Sequence, residues 1–195
     1  YFVNKSTDLT SYDNFPNFAL INKWRLIKKD PNAEMSEPEE PIVFWVENTT
    51  PEEIIPAVVA GIENWNMAFE EAGFINAVVA KIQPKDAEWD AADYDYNVVR
   101  WSSEPDGNLL GIGPSVTNPL TGEIISGDVV NKLLAVKVGY NYRKLYGYTE
   151  DNDPLMQYIT NLTLHEVGHV LGLRHNFRGS YLYSPAEIHN KEITG

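Results

Sequence analysis

Runs of apolar residues predict several short strands before the middle of the chain. The run Ile42–Val46 is β-branched and aromatic and lies between a proline and turn-forming residues, which is typical of a buried strand. Residues 77–82 and 97–101 have the same character and are predicted to be two further strands. Residues 109–116 and 123–130 flank a turn with Pro and Gly, which predicts a hairpin that includes a sheet-edge strand.

A helical pattern follows the first strand. Apolar residues recur at helical spacing over residues 55–69, and Gly73 is suited to end the helix with a positive φ angle. Thr50 and Glu53 have the spacing of a capping box, which predicts that the helix begins there. Pro56 fits this start poorly because it lacks a backbone N–H, so it marks either the true start or a kink.

A second helix is predicted to begin after Asp153, an N-cap residue followed by proline at the first helical position. Its apolar residues surround the helix axis, which indicates a central and largely buried helix. Residues 131–149 show no clear period, and their secondary structure is left open.

The length and composition favour one folded domain. The chain has 195 residues, of which 43% are hydrophobic, enough for a single core. Residues 1–40 combine Asn, acidic residues and Pro, and they are predicted to form an extended, irregular arm or linker. The folded domain is therefore assigned to residues 41–195.

Charge and cysteine content exclude several functional classes. The formal net charge of -13 disfavours binding to nucleic acids and anionic lipids. The absence of cysteine excludes disulfides, thiolate metal sites and a cysteine nucleophile. No apolar run approaches the roughly 20 residues of a membrane-spanning helix. The acidic stretches 90–95 and 150–153 lack the spacing of a calcium-binding EF-hand and are interpreted as solvated surface.

Three of the four histidines lie in one motif, H-E-x-x-H-x-x-G-x-x-H, which residues 165–175 match at every fixed position. His165 and His169 are four residues apart, so a helix places both imidazoles on one face. His175 reaches the same site only if the helix ends before it, and Gly172 can adopt the positive φ angle that ends it. Three neutral imidazoles leave one position of a tetrahedral Zn²⁺ ion open, as in catalytic zinc sites.

The residue types in this motif indicate hydrolysis. Glu166 directly follows the first predicted ligand, and a carboxylate there can accept a proton from water and donate it to a leaving amine. Glu166 is therefore predicted to be the general base and then the general acid. His189 lies outside the motif and is interpreted as a core histidine. Two alternatives stay open: a zinc-binding recognition module without catalysis, and a zinc hydrolase of non-peptide amides or esters.

The motif resembles that of the metzincin clan of zinc peptidases. Segments outside the motif are similar to the large, multidomain bacterial zinc-dependent metalloproteases; they are residues 24–26, 36–38, 41–45, 65–74, 100–101, 113–115 and 175–178. The resemblance implies an α+β fold, with a twisted mixed β-sheet and two long helices, the second of which carries the zinc motif. It also implies a zinc endopeptidase that is secreted or lies in the cell envelope. Its peptide or protein substrate is expected to pair with an edge strand near residues 111–115.

Metzincins carry a methionine-containing turn after the third histidine. The methionines of this chain, Met35, Met67 and Met156, all precede His175. The chain is therefore expected to end before that turn and before most of the C-terminal subdomain, and the isolated piece is expected to have doubtful activity. Tyr181 and Tyr183 follow the motif and are further candidates to approach the metal, although no motif assigns them that role.

Overall fold

The computed structural model describes residues 3–7, 9–12, 17–104, 110–149, 152–176, 179 and 181–194. The strands are β1 Val3–Thr7, β2 Asn17–Ile21, β3 Ile42–Val46, β4 Val78–Ile82, β5 Asn97–Ser102, β6 Gly111–Ile112, β7 Ser115–Thr117, β8 Ile124–Gly127 and β9 Val129–Lys132. The helices are a 3₁₀ helix at Glu52–Ile54, then α1 Ile55–Glu63, α2 Asn66–Glu71, α3 Leu133–Tyr146, α4 Pro154–Val170 and α5 Lys191–Thr194.

A five-stranded mixed sheet with the order β4-β3-β5-β9-β6 organises the domain. Strands β3, β4, β5 and β9 run parallel, whereas β6 is antiparallel to β9 and forms one edge. The predicted α+β fold is confirmed. The predicted strands near residues 42–46, 77–82 and 97–101 are confirmed as well. So is the predicted hairpin, since β7 and β8 pair antiparallel.

The core lies between this sheet and helices α1 and α4. Strand β3 buries every second side chain, including the fully buried Phe44. Ile62 of α1 and Ile159 of α4 are also fully buried in the same apolar cluster. Burial of such a side chain contributes roughly 1.5–3 kcal/mol relative to its exposure, so this layer fixes the position of α4.

Helix α4 is central, as predicted. Within its length, exposed side chains are confined to Gln157, Asn161 and His165, which are spaced four residues apart. This spacing forms a single stripe on the helix surface. The last residue of this stripe is His165, the first histidine of the motif, so the otherwise buried helix is exposed to solvent on the side that carries His165.

The first predicted helix differs from the structure in its start and in its continuity. Thr50 makes no side-chain cap; the chain passes through the 3₁₀ helix, and α1 begins at Ile55 with Pro56 in its first turn. The predicted capping box is therefore wrong. Proline has no N–H to donate, so its place in the first turn costs no hydrogen bond. The helix also ends at Glu63 before α2 begins, whereas Gly73, at φ 85°, closes the segment as predicted.

The segment predicted as an irregular arm contains regular structure. Strands β1 and β2 pair antiparallel as a separate two-stranded sheet. The chain then contacts the folded domain through isolated bridges of Lys23 with Glu123 and Ser36 with Phe74.

The start of α4 depends on an ion pair that the sequence does not reveal. The Asp153 carboxylate accepts a hydrogen bond from the Leu155 N–H and another, at 2.7 Å, from Nε of Arg143 on α3. The hydrogen bond from Arg143, followed by that from the Leu155 N–H, lowers the pKa of Asp153 in spite of its burial. Arg143 also reaches Glu53, so the guanidinium joins three segments of the chain.

This ion pair should make stability depend on pH. We expect Asp153→Asn, which keeps an N-cap acceptor but loses the charge, to lower the free energy of unfolding by about 1–2 kcal/mol at neutral pH. Because the pKa of Asp153 is lower in the folded protein, its ionised carboxylate stabilises the folded state at pH values above the ordinary carboxyl pKa. This contribution is lost as pH falls through the folded-state pKa. The stabilities of the two proteins in denaturant titrations should therefore begin to converge below about pH 4 and meet only below the folded-state pKa of Asp153. Glu40→Gln, which removes an exposed carboxylate, controls for net charge. A difference independent of pH would contradict this account.

Candidate metal centre

Helix α4 ends in a way that turns the chain back toward the histidines. The Leu173 N–H donates to the carbonyl oxygen of Gly168, and the Gly172 N–H donates to that of His169. These two bonds form a Schellman motif around Gly172, whose φ angle is 94°. The predicted end of the helix at Gly172 is confirmed, and His175 follows three residues later.

The structure brings the three motif histidines together through one nitrogen each. The Nε2 atoms of His165 and His175 are 3.1 Å apart, those of His165 and His169 are 3.1 Å apart, and those of His169 and His175 are 3.2 Å apart. The nitrogens thus form a nearly equilateral triangle. Among the described residues, these three histidines are the group of His, Asp or Glu side chains whose ligand atoms lie close enough together to hold one metal ion.

This triangle fits a zinc ion. Zn–N bonds of about 2.0–2.1 Å at tetrahedral angles place the ligand nitrogens about 3.3 Å from one another. Nitrogen lone pairs that face each other at the observed distances repel unless a proton or a cation lies between them. The Nδ1 atom of His169 lies 2.9 Å from the Leu173 carbonyl oxygen, which can only accept. The proton of a neutral His169 therefore resides on Nδ1, and Nε2 presents its lone pair to the triangle.

Glu166 lies beside the triangle in a narrow space. The residue is only 7% exposed, and its side chain packs against Gly111 of β6. Its carboxylate and the three histidines line one cleft of about 620 Å³, with Leu110, Gly111 and Tyr158 among the other lining residues. A carboxylate in this place can exchange protons with a molecule bound in the cleft.

Two tryptophans, Trp24 and Trp65, hold the motif helix through contacts that were not predicted from the sequence. The Trp65 indole donates to the Leu164 carbonyl oxygen at 2.9 Å, and the Trp24 indole donates to the Val170 carbonyl oxygen at 3.0 Å. Gly168 makes room for Trp65, because a Cβ there would lie 2.8 Å from the indole ring. These contacts span 99 and 146 residues, and no local pattern reveals them.

The cleft continues along the edge strand on the other side of the histidines. A second cavity of about 840 Å³ is lined by Asn22, Gly113 to Ser115, Gly172 and His175, among others. Strand β6 lies at the sheet edge, as predicted, and is antiparallel to its neighbour β9. The two cavities share Gly113, His169 and His175 as lining residues, so both lie beside the histidine triangle.

The remaining candidates lie elsewhere. The interpretation of His189 as a core histidine is wrong: the residue is exposed, because residues 185–189 form turns outside the core. Tyr181 is 89% exposed, and neither it nor Tyr183 lines the described cavities at the triangle. In the acidic loop, Asp90 and Asp93 accept hydrogen bonds from backbone N–H groups two residues ahead. Residues 150 and 151 of the other acidic stretch lie outside the described residues.

Comparison with known proteins supports the resemblance inferred from the motif. Residues 148–195 match a family model described as Met-zincin. This segment contains Glu166 and all three histidines of the triangle, so the resemblance to metzincins is confirmed. No curated protein and no solved structure matches the chain. Together, the match and the three-histidine group indicate a zinc metallopeptidase at the level of the family.

Proposed function

We propose that this chain carries the active site of a zinc-dependent endopeptidase, with His165, His169 and His175 as the metal ligands and Glu166 as the general base. The proposal rests on one observation above all. Three imidazole nitrogens converge within 3.2 Å of one another, and a largely buried carboxylate lines the same cleft. A bound zinc ion supplies Lewis acidity toward a peptide carbonyl and lowers the pKa of water to about 7.

The protein's own residues have separate tasks in this reaction. Among the described residues, β6 pairs with β9 on one side and ends the sheet on the other. This outer edge offers backbone groups to an extended peptide, which adds to the sheet as a further strand and exposes its scissile bond to the cleft. As the water oxygen bonds to the carbonyl carbon, Glu166 accepts one of its protons. Glu166 then donates that proton to the amide nitrogen as the C–N bond breaks. The second proton of the water stays with the new carboxyl group and passes to the amine, so the products are one carboxylate and one ammonium group, and Glu166 regains its initial state.

Two features make Glu166 suited to this task. Its limited exposure keeps bulk water from competing for the transferred proton. Its neighbour in sequence, His165, points into the same cleft, so α4 holds the base and a ligand in a fixed relation. By resemblance to the metzincins, we also infer that the protein acts outside the cytoplasm, in the extracellular space or the cell envelope, on peptides or proteins.

Metal removal tests the proposed function. We expect the full-length protein to bind about one zinc ion at this site and to cleave an unfolded, casein-type substrate. A chelator should remove both the zinc and at least about 95% of the activity, and added zinc should restore activity in proportion to the bound metal. Metal content and peptide release are measured on the same samples. Zinc binding without hydrolysis would favour a recognition module. Cleavage of small amides but not peptides would favour a zinc hydrolase of non-peptide amides or esters. Either result would contradict the proposal.

A further inference from the structure

Gly111 lies directly against the carboxylate of Glu166. A Cβ atom built on Gly111 would lie 3.0 Å from Cγ of Glu166, 3.1 Å from its Oε1 and 3.3 Å from its Cδ. These distances are shorter than ordinary van der Waals contacts, so the Glu166 side chain occupies the space that a methyl group would take. Gly111 is not among the glycines with positive φ. Its backbone conformation therefore does not require glycine.

We propose that Gly111 is a positioning residue, which sets the place of the Glu166 carboxylate relative to a peptide bound on β6. This inference rests on the proposed function, because it assumes that Glu166 moves protons for a substrate in the cleft. Gly111 belongs to the strand that would hold the peptide and also contacts the general base. The strand therefore links the position of the substrate to that of the carboxylate.

The surrounding contacts favour movement of the carboxylate over movement of the strand or the helix. Asn131 of β9 pairs in register with Gly111, and its Nδ2 donates to the Thr163 hydroxyl at 3.0 Å. Asn131 and Thr163 are 1% and 0% exposed, and Thr163 lies one turn before Glu166 on α4. Directly after β6, Gly113 lies so close to α4 that a Cβ there would clash with the backbone carbonyl oxygen of Glu166. Because helix and strand are held on both sides, an added methyl group must displace the Glu166 side chain.

Substitution of Gly111 should therefore lower the activity without lowering the stability. We expect kcat for a peptide substrate to fall about 10-fold in Gly111→Ala and about 100-fold in Gly111→Val, because sub-ångström displacement of a catalytic group is costly. KM should stay within about twofold of the wild-type value. The midpoint of thermal unfolding should remain constant or rise, because alanine and valine favour a strand more than glycine does.

A double substitution supplies the specific test. Aspartate is one methylene shorter than glutamate, so Glu166→Asp leaves room for the methyl group of Gly111→Ala. Glu166→Asp alone should already lower kcat. Adding Gly111→Ala to this variant should therefore reduce kcat further by less than about twofold. Gly139→Ala is the matched control, since a Cβ there would meet Leu155 at the start of α4 rather than Glu166. It should lower the unfolding midpoint and leave kcat within about twofold.

The measurements are steady-state kinetics and zinc content of the full-length protein, together with crystal structures of the metal-free wild type and Gly111→Val. The structures should show the carboxylate displaced in the variant while α4 and β6 keep their positions. If the wild type cleaves peptides but Gly111→Val keeps its kcat, raises KM alone or leaves the carboxylate in place, the role of Gly111 is overturned and the proposed function stands. If the wild type binds zinc and cleaves no peptide, the proposed function fails, and this inference fails with it.

Discussion

Replacing Glu166 by Gln should reduce kcat by about 10³-fold or more and leave the zinc content at the wild-type level. The amide has nearly the shape of the carboxylate, so it should fit the same space beside Gly111. It cannot accept the proton of the attacking water, however, and positioned acid–base groups contribute typically 10²- to 10⁴-fold to the rate. The zinc content should persist because the three imidazole nitrogens form the proposed ligand set without Glu166.

Kinetics and metal analysis of the same preparations decide this prediction. KM should change little, because the lost interaction acts mainly in the transition state. Glu71→Gln, an exposed carboxylate at the end of α2, is the matched control and should behave as the wild type. Retained cleavage in Glu166→Gln would remove the proposed role of Glu166. Loss of zinc from this variant would show instead that the carboxylate supports the metal site.

The sequence predicts those parts of the site that depend on neighbours within a few turns of chain. The four-residue spacing of His165 and His169, the N-cap at Asp153 and the glycine stop at Gly172 are all local signals. Each follows from helix geometry or from the conformational freedom of one residue. The convergence of the histidines is a consequence of these signals, so it could be inferred without knowledge of the rest of the fold.

Other features depend on contacts between distant segments, and the sequence pattern does not reveal them. Helix α3 contains Val136, Val138 and Gly139, which lower helix propensity and obscure its period. Gly139 nevertheless has a structural role, because a Cβ there would lie 2.3 Å from a methyl carbon of Leu155 on α4. Close packing of the two helices thus decides the structure of this segment. The contact between Gly111 and Glu166 is of the same kind.

The replacement of Gly172 by Ala should weaken zinc binding by about 10- to 100-fold, a range typical of changes to groups that orient a metal ligand. Alanine is strained at the φ angle of 94°, and its Cβ would lie 2.5 Å from the backbone carbonyl oxygen of Asn22. Displacement of either the end of α4 or the Asn22 backbone would cost considerable free energy. The chain after Gly172 should shift, and it carries His175, so the third nitrogen would leave the triangle.

Gly147→Ala provides the matched control for this last change. Gly147 also ends a helix, at φ 82°, but a Cβ there would meet no atom within 4 Å. It should therefore cost about 1–2 kcal/mol of stability through backbone strain alone and leave zinc affinity unchanged. Gly172→Ala should lower the free energy of unfolding of the metal-free protein by more than Gly147→Ala does. Added zinc should also raise the unfolding temperature of Gly172→Ala by less. Chelator competition gives the two affinities. Equal zinc affinity in Gly172→Ala and the wild type would show that His175 reaches the metal without the turn at Gly172.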